Sequence, residues 1–67
     1  MLSKKPGLVV RIHGKDHEEV DVDYGEETVK VNNMLKHIKV GDYVIVNDGL
    51  VIEILTEHEA EKRMKQI

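Results

Sequence analysis

The side chains in this sequence that could bind a metal or move a proton are its histidines and carboxylates. The histidines are His13, His17, His37 and His58. His13 and His17 are four apart, the spacing that places two ligands on one helical face. The surrounding pattern, however, is strand followed by turn, where that spacing does not converge. His17 precedes Glu18 and Glu19, which invites a metal reading. A protein metal site needs three or four convergent ligands, and these histidines lie on separate segments. Asp21 and Asp23 share one face of an alternating run, as paired catalytic carboxylates can. Nothing near them in sequence would give the two different roles, as acid–base work requires, so they read as solvated strand positions. The chain has no cysteine, which removes disulfides and thiolate metal sites. No nucleophile elbow, phosphate-binding loop or glycine-rich dinucleotide fingerprint occurs. The expectation is a non-enzyme with no catalytic residue, no metal and no cofactor.

The elements that carry these residues are organised around residues 40–55, V-G-D-Y-V-I-V-N-D-G-L-V-I-E-I-L. This is the longest apolar run, rich in β-branched residues and broken once by Asn47-Asp48-Gly49. It reads as two strands joined by a tight turn, because Asn, Asp and Gly tolerate positive φ. Tyr43 and Ile45 face one way and Val44 and Val46 the other, so both faces of this strand are expected to be covered. Leu50, Ile52 and Ile54 make a fully apolar face opposite the mixed face of Val51, Glu53 and Leu55.

Upstream, residues 1–6 (M-L-S-K-K-P) have no periodicity and read as an exposed arm. From Leu8 the alternation puts Leu8, Val10 and Ile12 on one face and Val9, Arg11 and His13 on the other. Residues 14–16 form a polar turn. Val20 and Val22 point inward on the next strand, Tyr24-Gly25-Glu26 turns, and Val29 and Val31 point inward on a third strand that Asn32-Asn33 stops. Met34, Leu35 and Ile38 are expected to plug the connection to residue 40. After the hairpin, Thr56 and Glu59 form a capping box, and Ala60, Met64 and Ile67 make a thin apolar stripe on a helix of about three turns. The expected fold class is mostly β, a small OB-like five-stranded β-barrel with a C-terminal α-helix. One domain spans 1–67, with an arm at 1–6, the barrel at 7–55 and the helix at 56–67.

Composition narrows the function classes. A 67-residue chain buries only about 60% of its unfolded surface, so docking of the helix, a partner or a second copy must add stability. Ten Lys and Arg against thirteen Asp and Glu give a net charge of −3, which opposes nucleic-acid binding by bulk electrostatics. Two tyrosines are the only aromatics, too few for a base-stacking platform. No apolar run reaches a membrane span, and no signal-peptide core follows Lys4-Lys5. A cytoplasmic protein with no membrane and no nucleic-acid partner is the expectation.

Three features taken together resemble the HypC/HupF family of small hydrogenase-maturation chaperones. They are Pro6-Gly7 leading into a strand, V-D-V-D-Y-G at 20–25, and V-G-D-Y-V-I-V-N-D-G-L at 40–50 followed by E-A-E at 59–61. The resemblance covers almost the whole chain in register and length. It implies an OB-like five-stranded barrel with a C-terminal helix, and partner binding to a HypD-like scaffold and a hydrogenase large-subunit precursor. Family members help carry iron with its cyanide and carbonyl ligands. The family begins Met-Cys-x-Gly-x-Pro; here the cysteine position is Leu2 and the glycine position is Lys4. The family's histidine before its Gly-aromatic pair is Asn47, and the aromatic is Leu50. The resemblance therefore implies an accessory chaperone or adaptor in metalloenzyme assembly, with partner contacts at Leu2, Lys4, Pro6, Gly7 and Asn47. The alternative is a generic OB-like binding module unrelated to hydrogenase, with an unknown ligand.

Overall fold

The computed structural model describes residues 5–65. Five strands and a helix follow in order: β1 (Gly7–His13), β2 (Glu19–Asp23), β3 (Thr28–Asn33), β4 (Tyr43–Asn47), β5 (Leu50–Leu55) and α1 (Glu57–Lys65). The strands close into a barrel in the order β1-β2-β3-β5-β4, antiparallel throughout except for the β3–β5 seam. The mostly-β barrel with a C-terminal helix is the architecture expected from the sequence. No helix among the described residues is long and apolar enough to cross a membrane.

The β4–β5 hairpin turns on Asp48 and Gly49, both at positive φ (56° and 76°). This two-residue turn matches the twist of the flanking strands, and only residues that tolerate the left-handed region fit it. Both faces of β4 are covered, as its sequence requires. Val44 packs inside the barrel with Val9, Val20, Val22, Val31, Ile38 and Val51. Ile45 lies on the outer wall, where it forms a second cluster with Leu55, Ala60 and Tyr43 beneath α1. Fully burying one such β-branched side chain contributes about 1.5–3 kcal/mol. The interior is built chiefly of valines, whose stiff χ1 suits a narrow barrel wall.

Two β-bulges change the faces read from strict alternation. In β1, Val9 pairs with Val22 and Arg11 with Asp21, leaving Val10 as the extra residue. Val9 is therefore fully buried, Ile12 packs inward, and Val10, expected on the same face as Ile12, is instead 41% exposed. In β5, Ile45 pairs with Glu53 and Val46 with Val51, so Ile52 is the extra residue and is 51% exposed. A bulge inserts one residue without changing residue type, so the period-two pattern breaks unseen.

β3 runs through Asn33 rather than stopping before it. Its inward positions are Val29, Val31 and Asn33, and Asn33 is the buried polar residue among those described. Its Nδ2 donates to the carbonyls of His17 (2.7 Å) and Leu35 (2.9 Å), and its Oδ1 accepts from the Leu35 amide (3.1 Å). Met34 then falls on the outer side and is 79% exposed, so it does not plug the connection. Ile38 does, and Leu35 packs partly against the core.

Thr56 and Glu59 form the capping box. The Glu59 amide donates to Thr56 Oγ1 and the Thr56 amide donates to Glu59 Oε1, each at 3.1 Å. α1 ends at Lys65 among the described residues. Ala60 is fully buried against the barrel; the expected stripe positions Met64 (side chain) and Ile67 lie outside what is described.

Candidate partner-binding site

Pro6 and Gly7 are both buried where the chain enters the barrel, while Lys5 is exposed. The exposed arm expected over 1–6 therefore excludes Pro6. Proline carries no N–H, so burying it strands no donor. Gly7 opens β1 opposite Val44. A Cβ at Gly7 would collide with the Val22 side chain and stand 2.9 Å from Tyr24 Cε1, so only glycine fits under that ring. Lys5 Nζ donates to the Tyr24 carbonyl at 3.0 Å. Burial pushes the Tyr24 hydroxyl above the usual phenol range. Leu2 and Lys4, expected to contact a partner, lie outside the described residues.

Asn47 is exposed at the end of β4 and pairs with Leu50 across the turn. β1 and β4 are antiparallel, with Gly7 opposite Val44 and Leu8 opposite Tyr43. Moving back from Gly7 thus runs the same way as moving forward from Val44 to Asn47, about 10 Å along β4. Pro6, Gly7 and Asn47 share one end of this ladder. The hairpin tip is tied to β3 as well, because the Asn32 amide donates to the Gly49 carbonyl at 2.8 Å.

The histidines are dispersed. His13 Nε2 lies 3.1 Å from Asp21 Oδ2, both side chains half-buried, a diagonal pair across the β1–β2 ladder. His17 sits in the β1–β2 turn at φ 58°, and His37 and His58 are exposed on the β3–β4 connection and on α1. Asp23 does not act with Asp21; its Oδ1 accepts from the Gly25 amide at 2.7 Å and shapes the β2–β3 turn. Among the described residues no group of three or more His, Asp or Glu is placed to hold a metal ion.

One structural role was not visible in the sequence. Tyr24 read as a turn residue, yet it roofs the entry of β1; the Y-G pair after an alternating strand was the available signal. Asp42 lies in the turn before β4, where its Oδ2 accepts from the Lys39 amide at 2.8 Å while its carbonyl accepts from Val9 at 2.9 Å.

Residues 5–67 match the HupF/HypC family. The chain belongs to the HupF/HypC family. The matched span contains Pro6, Gly7 and Asn47 and begins after Leu2 and Lys4. HupF/HypC proteins are chaperones of hydrogenase maturation rather than enzymes. No curated protein gives a significant match to this sequence.

Proposed function

We propose that this HupF/HypC protein is an accessory chaperone or adaptor for metalloenzyme assembly, acting by protein–protein binding. Its partners in this reading are a HypD-like scaffold and a hydrogenase large-subunit precursor. The observation that carries the reading is the family match over residues 5–67. The contact surface in this reading is the arm, anchored at the barrel entry by the buried Pro6 and Gly7, and the neighbouring hairpin end at Asn47. Leu2 supplies an apolar tip at the family's cysteine position, and burying it in a partner's pocket would contribute about 1.5–3 kcal/mol.

The residues present do not fit an iron unit. Leucine has no lone pair to give a metal, and the amide of Asn47 is a weak neutral donor. The reading therefore involves no step through iron. The same replacements favour the second reading, a generic OB-like module with an unrelated ligand.

Deletion of residues 1–5 tests the reading, because it leaves the buried Pro6 in place. Binding to a purified HypD-like protein and to a large-subunit precursor is measured for the intact and truncated chains. The adaptor reading expects binding by the intact chain, and loss of binding with unchanged thermal stability after truncation. No binding of either protein by the intact chain favours the generic module. A truncated chain that melts markedly lower yet still binds places Leu2 in its own core and the interface elsewhere.

A further inference from the structure

The β1–β4 ladder stops short of the end of β4. Its pairs are Leu8↔Tyr43 and Gly7↔Val44, while β4 runs on to Asn47. The bonds of the seam show which backbone groups face it. The Val9 amide donates to the Asp42 carbonyl at 2.9 Å, so Val9 is a bonded position and Leu8 is not. Gly7 is the next bonded position, opposite Val44. Two residues on, Val46 turns its amide and carbonyl to the same side. The hairpin agrees. Asn47 and Leu50 close its two-residue turn as a bonded pair, which leaves the groups of Val46 pointing away from β5. The next rung in register, Lys5 with Val46, is not made among the described residues. An open edge is ordinarily paired, covered or blunted by charge, and neither Val46 nor Asn47 carries a charge.

The chain entering β1 is shaped to continue along this edge. In unchanged register Pro6 falls opposite Ile45, Lys5 opposite Val46 and Lys4 opposite Asn47. Pro6 takes a non-bonded position, where the N–H it lacks would point away from β4. Proline also biases the residue before it toward extended geometry, which Lys5 needs to form a rung. Pro6 is buried, and Lys5 Nζ donates to the Tyr24 carbonyl at 3.0 Å. Tyr24 follows Asp23, the partner of Leu8, so this bond keeps Lys5 beside the line of β1.

We infer that the chain's own arm closes on the free edge of β4, with Lys5 and Val46 as a bonded rung and Lys4 and Asn47 as a non-bonded rung beyond it. The faces follow from alternation. A Cβ on Gly7 would meet Val22 of the interior, so Gly7 faces inward and Pro6 faces the outer wall, as Ile45 does. Closure places Lys4 and Leu2 on that outer face, beside Asn47 and the hairpin tip. The arm and Asn47 then form one continuous surface. This concerns the chain without any partner and goes beyond the adaptor reading, which can fail while it stands.

The first test compares amide exchange in the intact chain and in a chain lacking residues 1–5. The Val46 amide is expected to exchange on the order of threefold faster after deletion, with the Val44 amide unchanged. Two bonds at an edge are nearly offset by ordering of the arm, so melting stays close to that of the intact chain. Disulfide trapping tests the register, and a chain without cysteine makes its result unambiguous. Lys4→Cys with Asn47→Cys occupies a non-bonded antiparallel pair, whose close Cβ atoms suit a disulfide. Under glutathione disulfide it should close within one chain. Ser3→Cys with Asn47→Cys, on opposite faces, should close markedly more slowly. Equal closure of the two pairs overturns the inference, as does a Val46 exchange rate that the deletion leaves unchanged. Val46 protection that rises with protein concentration, with a dimer mass, gives the edge to a second copy and overturns it as well.

Discussion

Asn33 Nδ2 stands 2.7 Å from the His17 carbonyl oxygen, so one buried side chain ties the β1–β2 turn to the exit of β3. The same amide satisfies Leu35 at both its backbone groups. Asn33→Ala strands these groups and is expected to lower unfolding free energy by about 2–3 kcal/mol. Chemical denaturation measures the loss, and faster exchange of the Leu35 amide localises it. A loss within about 0.5 kcal/mol would show that the amide is dispensable.

Gly7→Ala places a methyl against Val22 under the Tyr24 ring. Overpacking of this kind is expected to cost about 1–3 kcal/mol. In a Val22→Ala background the penalty should shrink, because the colliding methyl is gone. Additive losses in that double-mutant cycle would place the strain elsewhere.

Thr56→Ala removes the cap of α1 and is expected to cost about 1 kcal/mol. The Thr56 amide and hydroxyl bonds hold the Glu59 carboxyl below the usual carboxylate range. A depressed folded value means that this contribution is present above the unfolded value and is lost as pH falls through the folded one. Helical circular dichroism should therefore decline on acidification, and the Glu59 part of that decline should shrink in Thr56→Ala, which keeps the backbone amide donor but loses the hydroxyl. Superimposable acid titrations of the two proteins would contradict this.

Ala60→Glu inserts a charge between Ile45 and Leu55, where Ala60 is fully buried. The expected loss is about 2–4 kcal/mol. Glu61→Gln on the exposed face should stay within about 0.5 kcal/mol. Equal melting temperatures for both variants would mean that α1 is not docked.

Nucleic acid is expected not to bind, given the net charge of −3 and two tyrosines as the only aromatics. Electrophoretic mobility of a random single strand should be unchanged at about 150 mM salt. Micromolar binding with a steep salt slope would promote the generic module.

The hairpin and the helix start were legible because their signals are local. Asp48-Gly49 can adopt two positive φ values in succession, and Thr56 with Glu59 closes a reciprocal bond within one turn. The inward valines of β2 were legible for the same reason. Val10 and Ile52 were misplaced because a bulge shows only in the partner strand's register. Asn33 read as a stop because asparagine favours turns; its role depends on carbonyls at His17 and Leu35 that the fold brings to it. Pro6 read as arm because its burial under the barrel entry is a tertiary fact. Of the candidate site, Gly7 and Asn47 could be named from sequence, but their common end of the β1–β4 ladder could not.

The ladders of this barrel are unequal. β1–β2, β2–β3 and β4–β5 each hold five paired positions, whereas β1–β4 and β3–β5 each hold two. Backbone bonds from Val9 to Gly41 and Asp42 lengthen the first of these seams. The β3–β5 seam has only the Asn32–Gly49 bond beside its two pairs. The wall is thus a three-stranded meander and a hairpin with its helix, joined along two narrow lines. Sub-global opening follows the fewest contacts, so the β3–β5 line is where the meander and the hairpin are expected to part first.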